Sequence, residues 1–271
     1  HRAAQQAQAP QPHQGADALL QPPSVPLPLQ DGQDLLPGDR AHQPPHQAPD
    51  QQAQPQQAAP AAAPAAPTLV NGKGNGFFGN TITVINKVDN TVLNLTLRDV
   101  KIDVSNTGWE NHAGKAALSV QGEGNVEIEL DGKNELKSGY YRAGLEKNTS
   151  EGTLTLKDDN KDGSLKATGG ANGAGIGGGS GGSSGTITIS GGTVNATGGD
   201  YGAGIGGGYL GDGNVNISGN ATIENAETGS YGAGIGGGYK GSGSDVTISK
   251  DSRVEATGGD PCLLGGYGAA I

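Results

Sequence analysis

The most regular feature of the chain is an alternation of aliphatic and polar residues that returns at a nearly fixed interval. The runs Thr186–Ile189, Asn214–Ile217 and 245–248 place an aliphatic side chain at every second position. Successive side chains of a β-strand point to opposite faces, so this alternation indicates half-buried strands. The runs recur about every 30 residues, a period typical of stacked repeats whose units bury their apolar faces only against neighbouring units.

A glycine-rich core lies just before each of these runs. It reads Gly-Ala-Gly-Ile-Gly-Gly-Gly at 173–179, 202–208 and 232–238. A second short run follows the first in each unit, as at 193–196, and ends in a Thr-Gly turn. The core itself alternates, so we predict that it forms a third strand whose outward positions are bare. Three short strands and three turns per unit describe one coil of a parallel β-helix.

Placing the predicted coils under one another gives an aliphatic residue at every inward position of each strand, while the outward positions mix Thr, Asn, Glu, Lys and Asp. The inward columns are Val126, Leu154, Ile187, Val215 and Val246 for the first strand, Leu136, Leu165, Val194, Ile223 and Val254 for the second, and Leu118, Leu145, Ile176, Ile205, Ile235 and Ile271 for the third. With a spacing of about 4.8 Å per coil, the sequence predicts an all-β solenoid of about six coils with three short strands each.

The two ends of the chain differ from this pattern. Residues 1–67 hold 14 of the 15 prolines and 15 glutamines, a composition that predicts a disordered Pro/Gln/Ala-rich linker or a segment translated out of frame. The solenoid is therefore expected over residues 68–271, with an irregular first coil at 80–104 and with Phe77 and Phe78 covering the open end of its core. The sequence ends inside another glycine core, so we expect a chain truncated there.

Charge and cysteine content narrow the function classes. The formal net charge is −10 and the pI is about 4.8, which opposes binding to nucleic acid or to anionic membranes through a basic surface. No apolar run approaches the length of a membrane span, so membrane insertion is not expected. The single cysteine, Cys262, rules out an intramolecular disulfide framework and is interpreted as a small packed residue.

One acidic segment resembles half of a calcium loop. Asp158, Asn160 and Asp162 occupy alternate positions and are followed by Gly163, so three oxygen side chains could converge on one hard cation. The position where a glutamate would close an EF-hand loop is Gly169. Two interpretations stay open, a calcium site and an acidic, solvated turn between the first two strands of its coil.

Tyrosines recur at equivalent places of successive units. One set lies just ahead of the third strand (Tyr141, Tyr201, Tyr231 and Tyr267), and a second set lies just after the glycine core (Tyr209 and Tyr239). Repeat geometry predicts that each set forms a ladder with about 4.8 Å per step. Aromatic faces in a row can stack on sugar rings, so we predict carbohydrate contact at these residues; the alternative is that the rings only stack on one another and shield the turns.

These features carry a resemblance to known proteins. Units reading GTITISGGTVNATGGDYGAGIGGG resemble repeats of large secreted or wall-attached proteins of gut Firmicutes. The stretches VLNLTLRDVKIDV, AALSVQGEGNVEIELDGKNELKSG and GTLTLKDDNKDGSLKATGG are similar to the bacterial carbohydrate-binding β-helix family. The resemblance covers roughly residues 80–271. It implies a right-handed parallel β-helix, a secreted or cell-surface location, binding of a polysaccharide or a host-surface glycan, and in some members bound calcium.

Three functions are therefore compared. The first is a non-catalytic carbohydrate-binding or adhesive module, and the second is a purely structural stalk or spacer. The third is a calcium-dependent polysaccharide lyase, which would need Asp158 and Asp162 on the metal and Arg142 or Lys147 as the base. No second acidic cluster supports the lyase, and the acidic surface would repel uronates, so the sequence favours the non-catalytic binding module, with Ca²⁺ as its one candidate cofactor.

Overall fold

The computed structural model describes residues 66–70, 76–148, 151–242, 245–259 and 269–271, all of which belong to a compact unit spanning Ala61–Ile271. The predictions made for residues 1–65 and for Cys262 and Tyr267 lie outside the described residues. Within these ranges no helix has the length and apolarity that a membrane span requires.

The described residues form nineteen β-strands. They are β1 (Thr68–Val70), β2 (Ile82–Ile85), β3 (Val92–Arg98), β4 (Lys101–Asp103), β5 (Leu118–Gln121), β6 (Asn125–Asp131), β7 (Lys133–Lys137), β8 (Leu145–Lys147), β9 (Leu154–Lys157), β10 (Ser164–Thr168), β11 (Ile176–Gly177), β12 (Thr186–Ile189), β13 (Thr193–Thr197), β14 (Ile205–Gly206), β15 (Asn214–Ile217), β16 (Thr222–Glu227), β17 (Ile235–Gly236), β18 (Val246–Ile248) and β19 (Arg253–Thr257).

These strands build three sheets in which every neighbouring pair is parallel. In spatial order, sheet A contains β1, β3, β6, β9, β12, β15 and β18, sheet B contains β4, β7, β10, β13, β16 and β19, and sheet C contains β2, β5, β8, β11, β14 and β17. The chain visits sheets C, A and B in turn through six coils, from β2–β4 to β17–β19. The predicted parallel β-helix is confirmed, and its first, irregular coil lies where the sequence placed it.

The core is a continuous column of aliphatic side chains. Leu154, Ile187 and Val215 lie in register on successive strands of sheet A and are fully buried. Leu145, Ile176 and other members of the predicted column do the same in sheet C. Full burial of one such side chain contributes about 1.5–3 kcal/mol, and because each coil adds several, the core stabilises the stack in proportion to its length.

The predicted column of the second strand is wrong at Leu136. Leu136 pairs with Ala167 and Ile102, whereas the strand position below Leu165 is occupied by Asn134. Asn134 is buried, and its side chain accepts the Val100 N–H and donates to two backbone carbonyls. An asparagine can take an inward position because these bonds satisfy its amide group.

The glycine cores pack differently from the prediction. The glycines at the outward positions carry no side chain, as predicted, but they are not open to solvent, because residues 173–179 and 202–208 are buried. A Cβ added at Gly206 would lie 1.9 Å from the Gly236 carbonyl oxygen, and one at Gly208 would lie 2.0 Å from that of Gly179. Adjacent coils therefore stack backbone on backbone at these residues, and the glycines are required for that close approach.

The first coil is covered by the chain that precedes it. Strand β1 pairs with β3, a strand that the sequence did not predict. Phe78 forms a parallel bridge with Ile102, and its N–H donates to the Lys101 carbonyl at 2.9 Å. The Phe77 ring lies 4.3 Å from Nζ of Lys137. Both rings are exposed, and neither belongs to the residues packed against the core, whereas Leu69 of β1 does. The cover observed is therefore backbone pairing and Leu69, and cover of the core by the two phenylalanine rings is not seen.

Candidate functional site: an aromatic edge

Backbone hydrogen bonds bring the two tyrosine sets side by side. The N–H of Tyr239 donates to the Tyr201 carbonyl, and the N–H of Tyr209 donates to the Asn172 carbonyl, both at 2.8 Å. The N–H of Ser180 makes the same bond to Tyr141 in the coil before. The residue that follows each glycine core therefore lies next to the residue that precedes the glycine core of the coil before. The two tyrosine sets lie side by side.

Four tyrosines form one cluster. The rings of Tyr201 and Tyr231 are stacked, with centroids 5.1 Å apart and planes 8° apart, and those of Tyr209 and Tyr239 are stacked at 6.1 Å and 19°. Cross contacts join the two stacks, since Tyr201 lies 5.7 Å from Tyr209 and 5.6 Å from Tyr239. The sequence predicted two separate ladders, whereas the structure merges them. Ring pairs of this kind are worth about 0.5–1.5 kcal/mol beyond area burial.

The cluster is half-buried and keeps its polar atoms available. All four side chains have intermediate exposure. Their phenol hydroxyls make no hydrogen bond with any residue that the structure describes. None of the four hydroxyl oxygens is among the buried side-chain atoms that lack a partner, so they are available to donate to or accept from a ligand.

The predicted ladder is interrupted before it reaches Tyr141. The coil between Tyr141 and Tyr201 has Asn172 and Ser180 at the two tyrosine positions. Tyr141 instead contacts Tyr140, with ring centroids 4.4 Å apart, and its hydroxyl donates to the Glu110 carbonyl. Including Tyr141 in one ladder with Tyr201 and Tyr231 is therefore wrong, because a coil without aromatic residues separates them.

Two further aromatic residues extend the same side of the solenoid. Tyr140 precedes Tyr141 in the turn between β7 and β8, and Trp109 lies in the loop between β4 and β5. Trp109 packs on His112 at 4.6 Å and is 65% exposed. Both residues lie on a connection from sheet B to sheet C, as Tyr201 and Tyr231 do. This shared position in the repeat is the sequence signal that could have identified Trp109 and Tyr140. We call Trp109, Tyr140, Tyr141, Tyr201, Tyr209, Tyr231 and Tyr239 the aromatic edge.

Charged groups flank the aromatic edge on both sides of the interruption. Desolvation, the neighbouring Tyr141 and the carboxylates of Glu110 and Asp200 raise the pKa of Tyr140. Asp200 belongs to the coil of Tyr201, so its influence on Tyr140 extends across the intervening coil. Nζ of Lys240 lies 5.3 Å from the centre of the Tyr239 ring at the other end of the cluster. The aromatic faces are thus bordered by hydrogen-bonding groups of both signs.

The proposed calcium residues form a turn between β9 and β10. The two carboxylate oxygens of Asp158 accept the N–H groups of Lys161 and Gly163 at 2.8 and 3.0 Å, and the side chain of Asn160 accepts the Asp162 N–H at 3.4 Å. Among the described residues, no group of three or more His, Cys, Asp or Glu side chains is arranged to hold a metal ion. The side-chain oxygens of Asp158 and Asn160 are already engaged in local turn bonds, and calcium binding stays a prediction.

The structure does not bring together the residues that a lyase would need. Arg142 bonds to Glu146 at 2.6 Å in the turn and strand of sheet C, on a different side of the coil from Asp158 and Asp162. Lys147 is 1% exposed, and burial lowers its pKa to about 8. A lysine enclosed in this way cannot reach a polysaccharide, so neither candidate base lies beside the acidic turn in a position to act on one.

Glu146 is buried because it replaces part of a glycine core. In the regular coils the N–H of Ala174 donates to the Gly178 carbonyl at 2.9 Å, and Ala203 bonds to Gly207 in the same way. In the degenerate coil the equivalent Ala143 N–H donates to the Glu146 carboxylate at 3.1 Å. Burial raises the pKa of Glu146, while Arg142 and the hydrogen bonds oppose that shift. This charged cluster therefore has a structural role in closing the turn.

Comparison with known proteins agrees with the fold. A family model described as "Beta helix repeat" matches residues 161–180, 187–209 and 215–239. Each matched segment contains one glycine core, and together they include Asn172 and all four tyrosines of the cluster. Searches of curated proteins and of solved structures gave no significant match. The matched segments are similar to β-helix repeats and agree with the parallel β-helix fold of the regular coils.

Proposed function

We propose that this protein is a non-catalytic extracellular module of a bacterial surface that binds carbohydrate through the aromatic edge. One observation carries the proposal: four tyrosines from two coils converge in a half-exposed cluster whose hydroxyls have no partner among the described residues. The polysaccharide or host-surface glycan, the bacterial source and the secreted location are part of the proposal, and the resemblance of residues 80–271 supports them.

The chemistry of a tyrosine suits a sugar ring. A pyranose has C–H groups on its faces and hydroxyls on its rim, so it can pack its faces on aromatic rings and hydrogen-bond at its edge. Tyrosine offers an apolar body with a polar tip, and ligand sites in general combine aromatic walls with a few polar groups. The rigid stack of coils fixes the rings before the ligand arrives, which lowers the entropic cost of binding.

The charge of the protein favours neutral glycans. A net charge of −10 repels uronates, sulfated glycans and nucleic acids at long range. Neutral hexose polymers escape this repulsion. They also match the aromatic edge, where Asp200 and Glu110 can accept hydrogen bonds from sugar hydroxyls.

The first prediction tests the cluster directly. The full chain is tested for retention on insoluble neutral polysaccharides and for binding to a glycan array, with and without CaCl₂. We expect saturable binding by the wild type and at least tenfold weaker binding by the Tyr201→Ala/Tyr231→Ala variant. The matched control, Thr188→Ala/Asn216→Ala, removes two outward side chains of sheet A and should bind as the wild type does.

A structural spacer is the second candidate, and one observation favours it. The four rings contact one another, and the glycine cores stack backbone on backbone, so the same residues also stiffen the solenoid. A spacer predicts that the double tyrosine variant loses stability and that the folded wild type retains no polysaccharide. Circular dichroism of the same samples separates loss of binding from loss of the fold.

A further inference from the structure

The coil of Asn172 and Ser180 forms a gap in the aromatic edge, which we call the slot. Tyr140 and Tyr141 lie on one side of it, and Tyr201 and Tyr209 lie on the other. The equivalence of these positions is set by backbone bonds, because Ser180 and Tyr209 donate their N–H groups to the carbonyls of Tyr141 and Asn172. The Tyr201 ring contacts the rings of Tyr209, Tyr231 and Tyr239, whereas the rings of Tyr140 and Tyr141 contact each other.

The width of the slot follows from the coil spacing. Parallel strands lie about 4.8 Å apart, so aromatic turns separated by one intervening coil lie about 9.6 Å apart. Two van der Waals contacts between carbon atoms need about 3.5–4 Å each. The slot therefore has room for one saturated ring between its aromatic walls and excludes a second.

The floor of the slot is polar. Asn172 is half-buried, and its side-chain amide makes no hydrogen bond with described residues. Ser180 and Asp200 are exposed on either side of it. An aromatic ligand would leave these groups without partners, whereas the rim hydroxyls of a sugar would satisfy them. Aromatic walls above a floor of amide, hydroxyl and carboxylate groups match a neutral pyranose.

We propose that the slot is a subsite for one neutral pyranose ring, held between the Tyr140–Tyr141 pair and the Tyr201–Tyr209 wall and hydrogen-bonded by Asn172. This inference rests on the proposed function and makes it more specific, because it assigns recognition to the interruption of the tyrosine ladder. The four-tyrosine cluster then serves as the rigid wall of the site, and its outer rim contacts the rest of the glycan.

Closing the slot is the sharpest test. Asn172 has φ of 66°, and Tyr141, in the equivalent position of the preceding coil, has φ of 68°, so the backbone accepts tyrosine in this conformation. Asn172→Tyr should place an aromatic ring in the slot and fill it. Ser180→Tyr is an independent variant, because Ser180 occupies the position that is equivalent to Tyr209 and Tyr239 in the second tyrosine set. Its ring should fill the slot as well. Lys161→Tyr introduces the same side chain at an exposed position with φ of 64°, in the turn between β9 and β10, and is the matched control.

Binding is measured by calorimetry on the full chain with neutral hexasaccharides of β-1,4-glucan, β-1,4-mannan and α-1,4-glucan. With whichever of these binds the wild type most tightly, we expect at least tenfold weaker binding by Asn172→Tyr and by Ser180→Tyr, and a change of less than twofold for Lys161→Tyr. Wild-type affinity in both tyrosine variants would overturn the slot while leaving the proposed function intact. Absence of wild-type binding to any glycan would instead overturn the proposed function.

Discussion

At the scale of single residues, glycine has two different uses in this chain. Gly206 has φ of 134°, and a Cβ there would lie 1.9 Å from the Gly236 carbonyl oxygen. Gly181 also has positive φ, 73°, but a Cβ there would meet nothing within 4 Å. The first glycine is required by the neighbouring coil as well as by its own backbone, whereas the second is required only by its backbone.

Substitution by alanine should separate these two uses. We expect Gly206→Ala to lower the free energy of unfolding by about 2–4 kcal/mol, because the added methyl group forces adjacent coils apart. Gly181→Ala should cost about 1 kcal/mol from backbone strain alone. Urea midpoints of the two variants measure the difference. Equal midpoints would contradict the assignment of the glycine cores to close backbone stacking.

Lys147 makes stability depend on pH. Its pKa is about 8 in the folded chain, whereas an unperturbed lysine side chain has a pKa of 10.5. The unfolded chain therefore holds the proton up to a higher pH than the folded chain does. The contribution of Lys147 to the free energy of unfolding is lowest below about pH 8 and rises as the pH increases from about 8 toward 10.5, by at most about 3 kcal/mol.

The variant Lys147→Met tests this dependence. We expect it to be more stable than the wild type at pH 7, because a buried ammonium group is replaced by an apolar chain of similar length. The advantage should shrink at pH 9.5. Denaturant midpoints at both pH values are compared as differences between the two proteins, so that titration of other groups cancels. A constant difference would show that Lys147 is not responsible.

At the scale of elements, the Asp158 turn joins β9 to β10 through local hydrogen bonds. Asp158→Ala removes the acceptors of two backbone N–H groups and should cost about 1–2 kcal/mol. Asp162→Ala is the control, since no hydrogen bond of the Asp162 carboxylate is found among the described residues, and it should change stability by less than about 0.5 kcal/mol.

The same pair of variants tests calcium. If the turn only joins β9 to β10 and binds no metal, CaCl₂ and EDTA should change the melting temperatures of the wild type and of both variants by the same amount. A calcium-dependent rise in the wild type that is absent in both variants would establish the metal site that the spacing of Asp158, Asn160 and Asp162 predicts. Differential scanning calorimetry gives both results in one series.

At the scale of the whole molecule, the sequence predicted the solenoid well because its evidence is repetitive. Each inward column repeats the same requirement for an aliphatic side chain, so one error, such as Leu136, does not change the fold. Asn134 could not be predicted, since its burial depends on hydrogen bonds to Val100 and Ser164 from other coils. The local sequence pattern indicates which face of a strand a residue occupies. It does not indicate which distant backbone groups can form hydrogen bonds with that residue.

The candidate site was only partly predictable, for a related reason. Periodicity identified the tyrosines of both columns, but the contact between the columns depends on how the turn after each glycine core folds back. The bonds from Tyr209 and Tyr239 to the preceding coil set that contact. The repeats show asparagine instead of tyrosine at position 172. Whether this position forms a binding slot depends on the aromatic rings on either side of it, and the sequence does not show their arrangement.

If the aromatic edge is a glycan-binding surface, an NMR titration of the full chain with ring-labelled tyrosine should detect contact at its rings. Resonances are assigned with single Tyr→Phe variants, and the hexasaccharides named above are added. We expect saturable shifts in Tyr140, Tyr141, Tyr201 and Tyr209 that follow one binding isotherm, because these rings line the same slot. Unchanged tyrosine resonances at saturating glycan, or shifts that do not saturate, would contradict this expectation.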